Sequence, residues 1–196
     1  MVHAAISLSV VVIAVGIACS AHRSAGDPNA PTFASKRMLD GKQWMTENLN
    51  IPAPQSYCYD DADPNCRGYG RLYTWGAAQR ACESVGSGWR LPTNHEWQRM
   101  AKHYGGIRDD STDGGKAAYA SLVTGGSSGF DALLGGGRAP DGQYARLAAH
   151  GFYWTASAAG AGSAWFYNFG QGSRYLNRHD DGEKARAFSV RCVRDD

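Results

Sequence analysis

Five cysteines, and the way they are spread, constrain this chain more than any other feature: Cys19, Cys58, Cys66, Cys82 and Cys192. No two of them make the close Cys-x-x-Cys pair that zinc sites use, so a metal reading has no spacing to rest on. A disulfide framework needs an oxidising compartment, and the N-terminus points to one. Residues 4–18 form a 15-residue run without a charge. That is short for a membrane-spanning helix and right for the apolar region of a secretory signal. The stretch after it, SAHRSAGDPNAPTFAS, is polar and contains proline. Residues 1–18 are therefore expected to be a signal peptide, 19–35 a linker and 36–196 the folded domain.

Cys19 stands directly after Gly16-Ile17-Ala18. Small residues ending at a cysteine resemble a bacterial lipoprotein signal, in which that cysteine is acylated and becomes the mature N-terminus. The alternative is cleavage by the general signal peptidase near Ala21. An acylated Cys19 leaves four cysteines and three possible pairings. Cys58 and Cys66 flank a turn-forming stretch, Tyr59-Asp60-Asp61-Ala62-Asp63-Pro64-Asn65, which makes them the expected local bridge and leaves Cys82 to Cys192. Closing a loop that long contributes about 4–5 kcal/mol by chain-entropy scaling. The chain is expected at the outer membrane or cell surface as a lipoprotein, otherwise in the periplasm or secreted, with membrane contact only through the lipid.

Composition narrows the class. The 196 residues hold 20 Lys+Arg and 18 Asp+Glu, a formal net charge of +2, with 43% apolar and 19% charged residues. This is a folded domain rather than a disordered chain. It offers no basic face for phosphate neutralisation, so nucleic acid is not an expected partner. Glycine is high, 25 residues or about 13%, against a usual value of roughly 7%. With 22 aromatic residues (6 Trp, 10 Tyr, 6 Phe), the chain reads as a loop-rich domain closed by heavy side chains.

Local signals give an order of elements. Asp40-Gly41 between two short apolar runs predicts a hairpin. Residues 74–84 predict a short helix carrying Cys82. Thr93-Asn94-His95-Glu96 fits a capping box opening a helix to about His103, with Trp97 and Met100 inward and Gly105-Gly106 after its end. Residues 113–122 predict a third, weaker helix. Beyond Gly125 the chain reads as short strands at 153–155, 164–169, 173–177 and 187–194. In the last of these Phe188, Val190 and Cys192 alternate with Ser189, Arg191 and Val193, placing disulfide and core on one face. Two or three short helices on a twisted, loop-rich antiparallel sheet with two disulfides make an α+β domain.

Several blocks recur in a fixed order: Asp40-Gly41-x-x-Trp44-Met45-x-x-Asn48-Leu49, Tyr57-Cys58-Tyr59-Asp60, Tyr69-Gly70-Arg71-Leu72-Tyr73-Thr74-Trp75, Gly88-Trp89-Arg90-Leu91-Pro92-Thr93-x-x-Glu96-Trp97, Gly129-Phe130, Tyr153-Trp154-Thr155, Ala164-Trp165 and Ser189-Val190-Arg191-Cys192-Val193. Together they resemble the Fibrobacter succinogenes major paralogous domain (FISUMP) family over about residues 38–194. The resemblance implies a C-type-lectin-like fold of the formylglycine-generating-enzyme-like group, in which a helix cysteine bridges to the last strand, as Cys82 and Cys192 would. It implies an exported bacterial surface protein and assigns no activity.

Catalytic motifs fail on inspection. His95-Glu96 begins a zinc-protease signature, but Arg99 stands where the second histidine is required. Gly125-Gly126-Ser127-Ser128-Gly129 matches a nucleophile elbow in letters only, since it is a glycine-rich loop without the strand and helix the motif needs. Asp61-x-Asp63-x-Asn65 opens like a calcium loop, yet Cys66 and Leu72 replace its glycine and glutamate. A disulfide-closed turn is the plainer reading, with calcium the one cofactor left open. The Glu-Pro-Asn and Trp-Asn-Asp motifs of calcium-dependent lectins do not occur, and only Cys192 stands where formylglycine-generating enzymes carry a cysteine pair.

The remaining candidate is a surface. Residues 165–179 interleave Tyr, Asn, Ser, Arg and His around Gly170 and Gly172, a paratope-like mixture on a hairpin. Tyr167, Asn168, Gln171, Arg174, Tyr175, Asn177, Arg178 and His179 are the expected ligand-binding residues, with Trp165 and Phe169 as core. The expected function is an exported binding or adhesion module without catalysis, its ligand an extracellular polysaccharide or protein. The segment also resembles the variable region of retroelement-diversified receptors, which adenine-rich codons at Tyr167, Asn168, Tyr175 and Asn177 would reveal. An enzyme related to formylglycine generation is the weakest alternative.

Overall fold

The signal for a capped helix is met in full. In the computed structural model the side chain of Thr93 accepts from the Glu96 backbone N–H, and the Glu96 carboxylate accepts from that of Thr93. The structure describes Met1 and residues 33–195, so the apolar leader, Cys19 and most of the expected linker lie outside the described residues. Four helices occur among them: α1 (Asp63–Tyr69), α2 (Trp75–Ser84), α3 (Asn94–His103) and α4 (Lys116–Leu122). The sequence had suggested two or three. The addition is α1, which begins within the stretch read as a turn and runs past it, with Pro64 in the first turn, where its missing N–H costs nothing.

Two sheets carry the rest. The expected hairpin forms as β1 (Ser35–Arg37) and β2 (Gln43–Met45), joined by β11 (Val193–Arg194) into three strands. The larger sheet runs β3 (Ser56–Tyr57), β4 (Leu72–Thr74), β10 (Ala187–Phe188), β5 (Gly135–Arg138), β7 (His150–Ala158), β8 (Ser163–Gly170), β9 (Tyr175–Glu183), with β6 (Tyr144–Leu147) paired to β5.

The sheet is mixed, not wholly antiparallel as expected. The chain reverses at the β5–β6 turn and again after β6, so β7 runs parallel to β5 and meets it at Gly136 and Gly151. Both positions need glycine. A Cβ on Gly136, at φ +64°, would fall 2.6 Å from the Ala145 carbonyl oxygen, and one on Gly151 would fall 2.4 Å from that of Leu133.

The expected strand at 187–194 is interrupted. Its ends are β10 and β11, and residues 189–192 cross from the large sheet to the small one. Ser189 and Arg191, placed by alternation on an outer face, are as buried as Val190 and Cys192. Arg191 survives burial because four acceptors meet it: Nε donates to Asn48 Oδ1 at 2.7 Å, Nη1 to the carbonyls of Phe130 (2.5 Å) and Met45 (3.2 Å), and Nη2 to that of Asp131 (2.6 Å). Asn48, Phe130 and Arg191, far apart in sequence, thus share one buried polar knot.

Both disulfides form as expected, Cys58–Cys66 and Cys82–Cys192, with Cα separations of 4.9 and 5.6 Å. The long bridge ties α2 to the crossing segment. Two apolar clusters lie on either side of β7 and β8. Trp97, Met100, Tyr153, Tyr167 and Phe169 belong to the cluster with α3 and α4. Trp154, Phe166, Phe188 and Cys82 belong to the cluster with α2.

Candidate functional site

Strand alternation sorts the eight expected binding residues into four environments. Tyr167 faces α3 and is fully buried, stacked on Trp97 at 5.0 Å with its hydroxyl 3.2 Å from the Asn94 carbonyl oxygen. Burial pushes this phenol above its ordinary pKa. Tyr167 is a core residue. Arg178, opposite it on β9, lies over the Trp165 ring at 4.9 Å. Phe169 is core as expected, but Trp165 is only partly buried.

Gln171, Arg174 and Tyr175 occupy the β8–β9 turn beside α4. Arg174 is exposed with φ +54°, and the Tyr175 ring receives the guanidinium of Arg108 at 5.4 Å and the ammonium of Lys116 at 5.7 Å. Asn168, Asn177 and His179 point to the opposite face of the sheet. Asn168 Oδ1 is 3.0 Å from Nδ1 of His150, and His179 stacks on Phe166 at 4.9 Å. Asn177 Oδ1 and His179 Nε2 are buried there without a hydrogen-bond partner.

That second face leads into a cleft of about 300 Å³ that the expected hairpin site did not include. Its floor is phenyl: Phe152 lies 5.0 Å from Phe188 and 6.0 Å from Phe166. Its lining comes from the β5–β6 hairpin, the end of β9 and the turn after it, which supply Arg138, Arg146, Asp181 and Arg186. The floor is set by the closeness of β5: Gly137 there carries no side chain, and a Cβ would press on Phe188 at 3.0 Å and Phe152 at 3.3 Å.

The cationic wall is held rather than loose. Arg138 lies over the Tyr57 ring at 4.0 Å and over Tyr144 at 5.6 Å, and its Nε is buried without a partner. Arg146 Nη1 stands 3.3 Å from His150 Nε2. The Tyr144 hydroxyl donates to Asp61 at 2.6 Å; burial and that carboxylate push its pKa up to about 12, so it remains a donor. Apolar floor plus a few convergent polar groups is the composition of small-molecule sites. The sequence does carry a signal for the wall: Pro140-Asp141-Gly142 is turn chemistry, and it places Arg138 and Arg146 on two paired strands.

The calcium-like residues do not converge. Asp61 Oδ1 accepts from Tyr144, while Asn65 donates to the Tyr59 carbonyl oxygen at 2.8 Å. Among the described residues no group of three or more His, Cys, Asp or Glu side chains could hold a metal ion, and no helix is long and apolar enough to cross a membrane.

A second polar cluster lies at the start of α3. Arg90 forks onto Glu96 at 2.6 and 2.8 Å, Lys42 reaches Glu96 at 3.1 Å, and both cations contact Asp195. Burial alone would raise the Glu96 carboxyl, but hydrogen bonds from Arg90, the Thr93 backbone and Lys42 outweigh it and hold the pKa at about 2. With every strong group paired internally, this is a structural clasp.

The family model described as the Fibrobacter succinogenes major domain matches residues 33–194. No curated protein and no solved structure matches the chain significantly.

Proposed function

Because the chain belongs to the Fibrobacter succinogenes major domain family, whose resemblance implies export and names no activity, we propose that it is an exported binding module, anchored through Cys19 and acting by recognition rather than catalysis. The observation that carries this reading is the phenyl-floored cleft with Arg138, Arg146 and Arg186 at its mouth. Arg138, held over the Tyr57 and Tyr144 rings, loses little freedom on binding, which favours recognition. The C-type-lectin-like architecture remains part of the proposal.

The test is a glycan array and an extracellular-protein array probed with the exported protein, with and without calcium. Saturable binding to one class is the expected result. Silence on both arrays overturns the binding reading. Anchoring is tested separately: Cys19→Ala should move the protein from the membrane fraction to the soluble periplasm or medium, and an unchanged distribution rejects lipidation.

A further inference from the structure

Resting on the reading of the domain as a binding module, we propose that the cleft takes a carboxylate-bearing saccharide, a uronate unit of an acidic glycan. Size comes first. About 300 Å³ is at the small end of ligand sites, enough for one or two rings rather than a folded partner.

Charge comes second. The lining brings together three guanidinium groups, Arg138, Arg146 and Arg186, and one carboxylate, Asp181. A guanidinium fork matches a carboxylate in geometry as well as charge. Among the described residues the side chain of Arg186 has one ion pair, a 3.8 Å contact to Glu183, so donor capacity remains for a ligand.

The third argument is the mixed lining. A bare anion would use the arginines and nothing else. A sugar acid also has hydroxyls, which Asp181 can accept, and an apolar ring face, which the edges of Phe152 and Phe188 can meet. An acidic peptide would instead seek an open strand edge for main-chain pairing. β5 has none to spare, because β6, β10 and β7 already pair with it, while β9, which also lines the cleft, ends the sheet, so oligoglutamate is the arm that tests a peptide ligand.

The experiment is calorimetric titration of the exported protein with oligomers of galacturonate, glucuronate and mannuronate, their methyl esters, and oligoglutamate. The expected result is that at least one uronate binds, and that its ester, identical in rings but uncharged, binds at least about tenfold more weakly, a difference of roughly 1.4 kcal/mol. Affinity should fall between about 0.1 M and about 1 M salt, as screening shortens. Arg146→Gln and Arg186→Gln should each weaken uronate binding about tenfold without moving the melting temperature. Arg174→Gln, outside the cleft, should change nothing.

Equal affinity for acids and esters overturns the proposal. So does oligoglutamate binding with the same arginine dependence, or uronate binding indifferent to both substitutions. Binding of neutral glycans alone sinks the uronate assignment and leaves the binding module standing, whereas silence on every array and titration sinks both.

Discussion

The two faces of the β7–β9 sheet are built from similar residues and do different things. Toward α3 and α4, Tyr153, Tyr167, Phe169 and Leu176 are fully buried, and both phenols find acceptors: Tyr153 donates to Leu133 at 2.8 Å and Tyr167 to Asn94. On the other face Trp154 and Phe166 pack under α2, while Phe152 and His150 are left partly uncovered beside the arginines of β5 and β6. Aromatic content therefore does not separate core from site. What separates them is whether a helix lies above the rings. The first face satisfies its phenols within the fold. Buried polar atoms without a partner occur on both, Trp97 Nε1 on the first and Asn177 Oδ1 and His179 Nε2 on the second.

The largest effect expected from this contrast is at Trp97. It lies 5.2 Å from Trp44, 5.5 Å from Phe130, 5.7 Å from Tyr153 and 5.0 Å from Tyr167, so it is the hub of the packed face. Trp97→Ala should cost about 3–5 kcal/mol in denaturant unfolding, through lost contacts and the cavity left behind. Phe152→Ala on the open face should cost less, about 1–2 kcal/mol, because part of that ring is already in contact with water. Equal costs would erase the distinction between the faces.

A smaller, pH-dependent effect belongs to the clasp that supports α3. The folded pKa of Glu96 is about 2, below its ordinary value of 4.5, so its contribution is fully present above about pH 5 and is lost as pH falls toward 2. Asp195, held down by its hydrogen bonds from Lys42 and Arg90, adds in the same direction. The melting temperature should drop through that window. Glu96→Gln should flatten the drop and cost about 2–3 kcal/mol at neutral pH, since Arg90 and Lys42 lose the more buried of the two carboxylates they share. A melting curve equally steep in wild type and variant would show that the clasp does not carry the acid sensitivity.

The packed face was largely legible in the sequence. The capping box, the three-residue spacing of Trp97 and Met100, the Asp40-Gly41 hairpin and the Cys58–Cys66 spacing are local signals, and each formed as read, while Cys82–Cys192 followed as the pair that remained. The open face was not, for two physical reasons. In residues 165–169 apolar and aromatic groups occupy both alternating positions, so period two cannot say which side is covered; Tyr167 looked like a recognition residue and is core. The cleft's far wall comes from the glycine run 135–137 and the β6 strand, which have no amphipathic period, and it reaches β7 only through a parallel pairing that local propensity does not specify. Arg191 shows the same limit. Alternation exposed it, and only the convergence of Asn48, Met45, Phe130 and Asp131 explains why a cation is stable there.

The smallest expected effects on stability decide the most about function. Arg146 and Tyr175 each stand for one candidate surface, the cleft and the β8–β9 turn. Arg146 is exposed, and its one close polar contact here is the 3.3 Å approach to His150. Tyr175 is partly exposed, and its ring meets Arg108 and Lys116 near the surface. Removing either group should shift stability by no more than about 0.5 kcal/mol, the usual range for surface positions without special geometry. Arg146→Gln keeps its side chain's length, so its left-handed backbone, at φ +69°, is strained to the same degree before and after the change. Against a ligand found on the arrays, the two variants should then diverge. Arg146→Gln should weaken binding about tenfold, as loss of a charge-assisted contact would, and Tyr175→Ala should leave it within about twofold, roughly 0.4 kcal/mol. The reverse pattern would move the site to the turn beside α4 and return Gln171 and Arg174 to it. A loss in both would mean one ligand long enough to span the strand between them, since β9 runs from Tyr175 at the turn to Asp181 at the cleft wall.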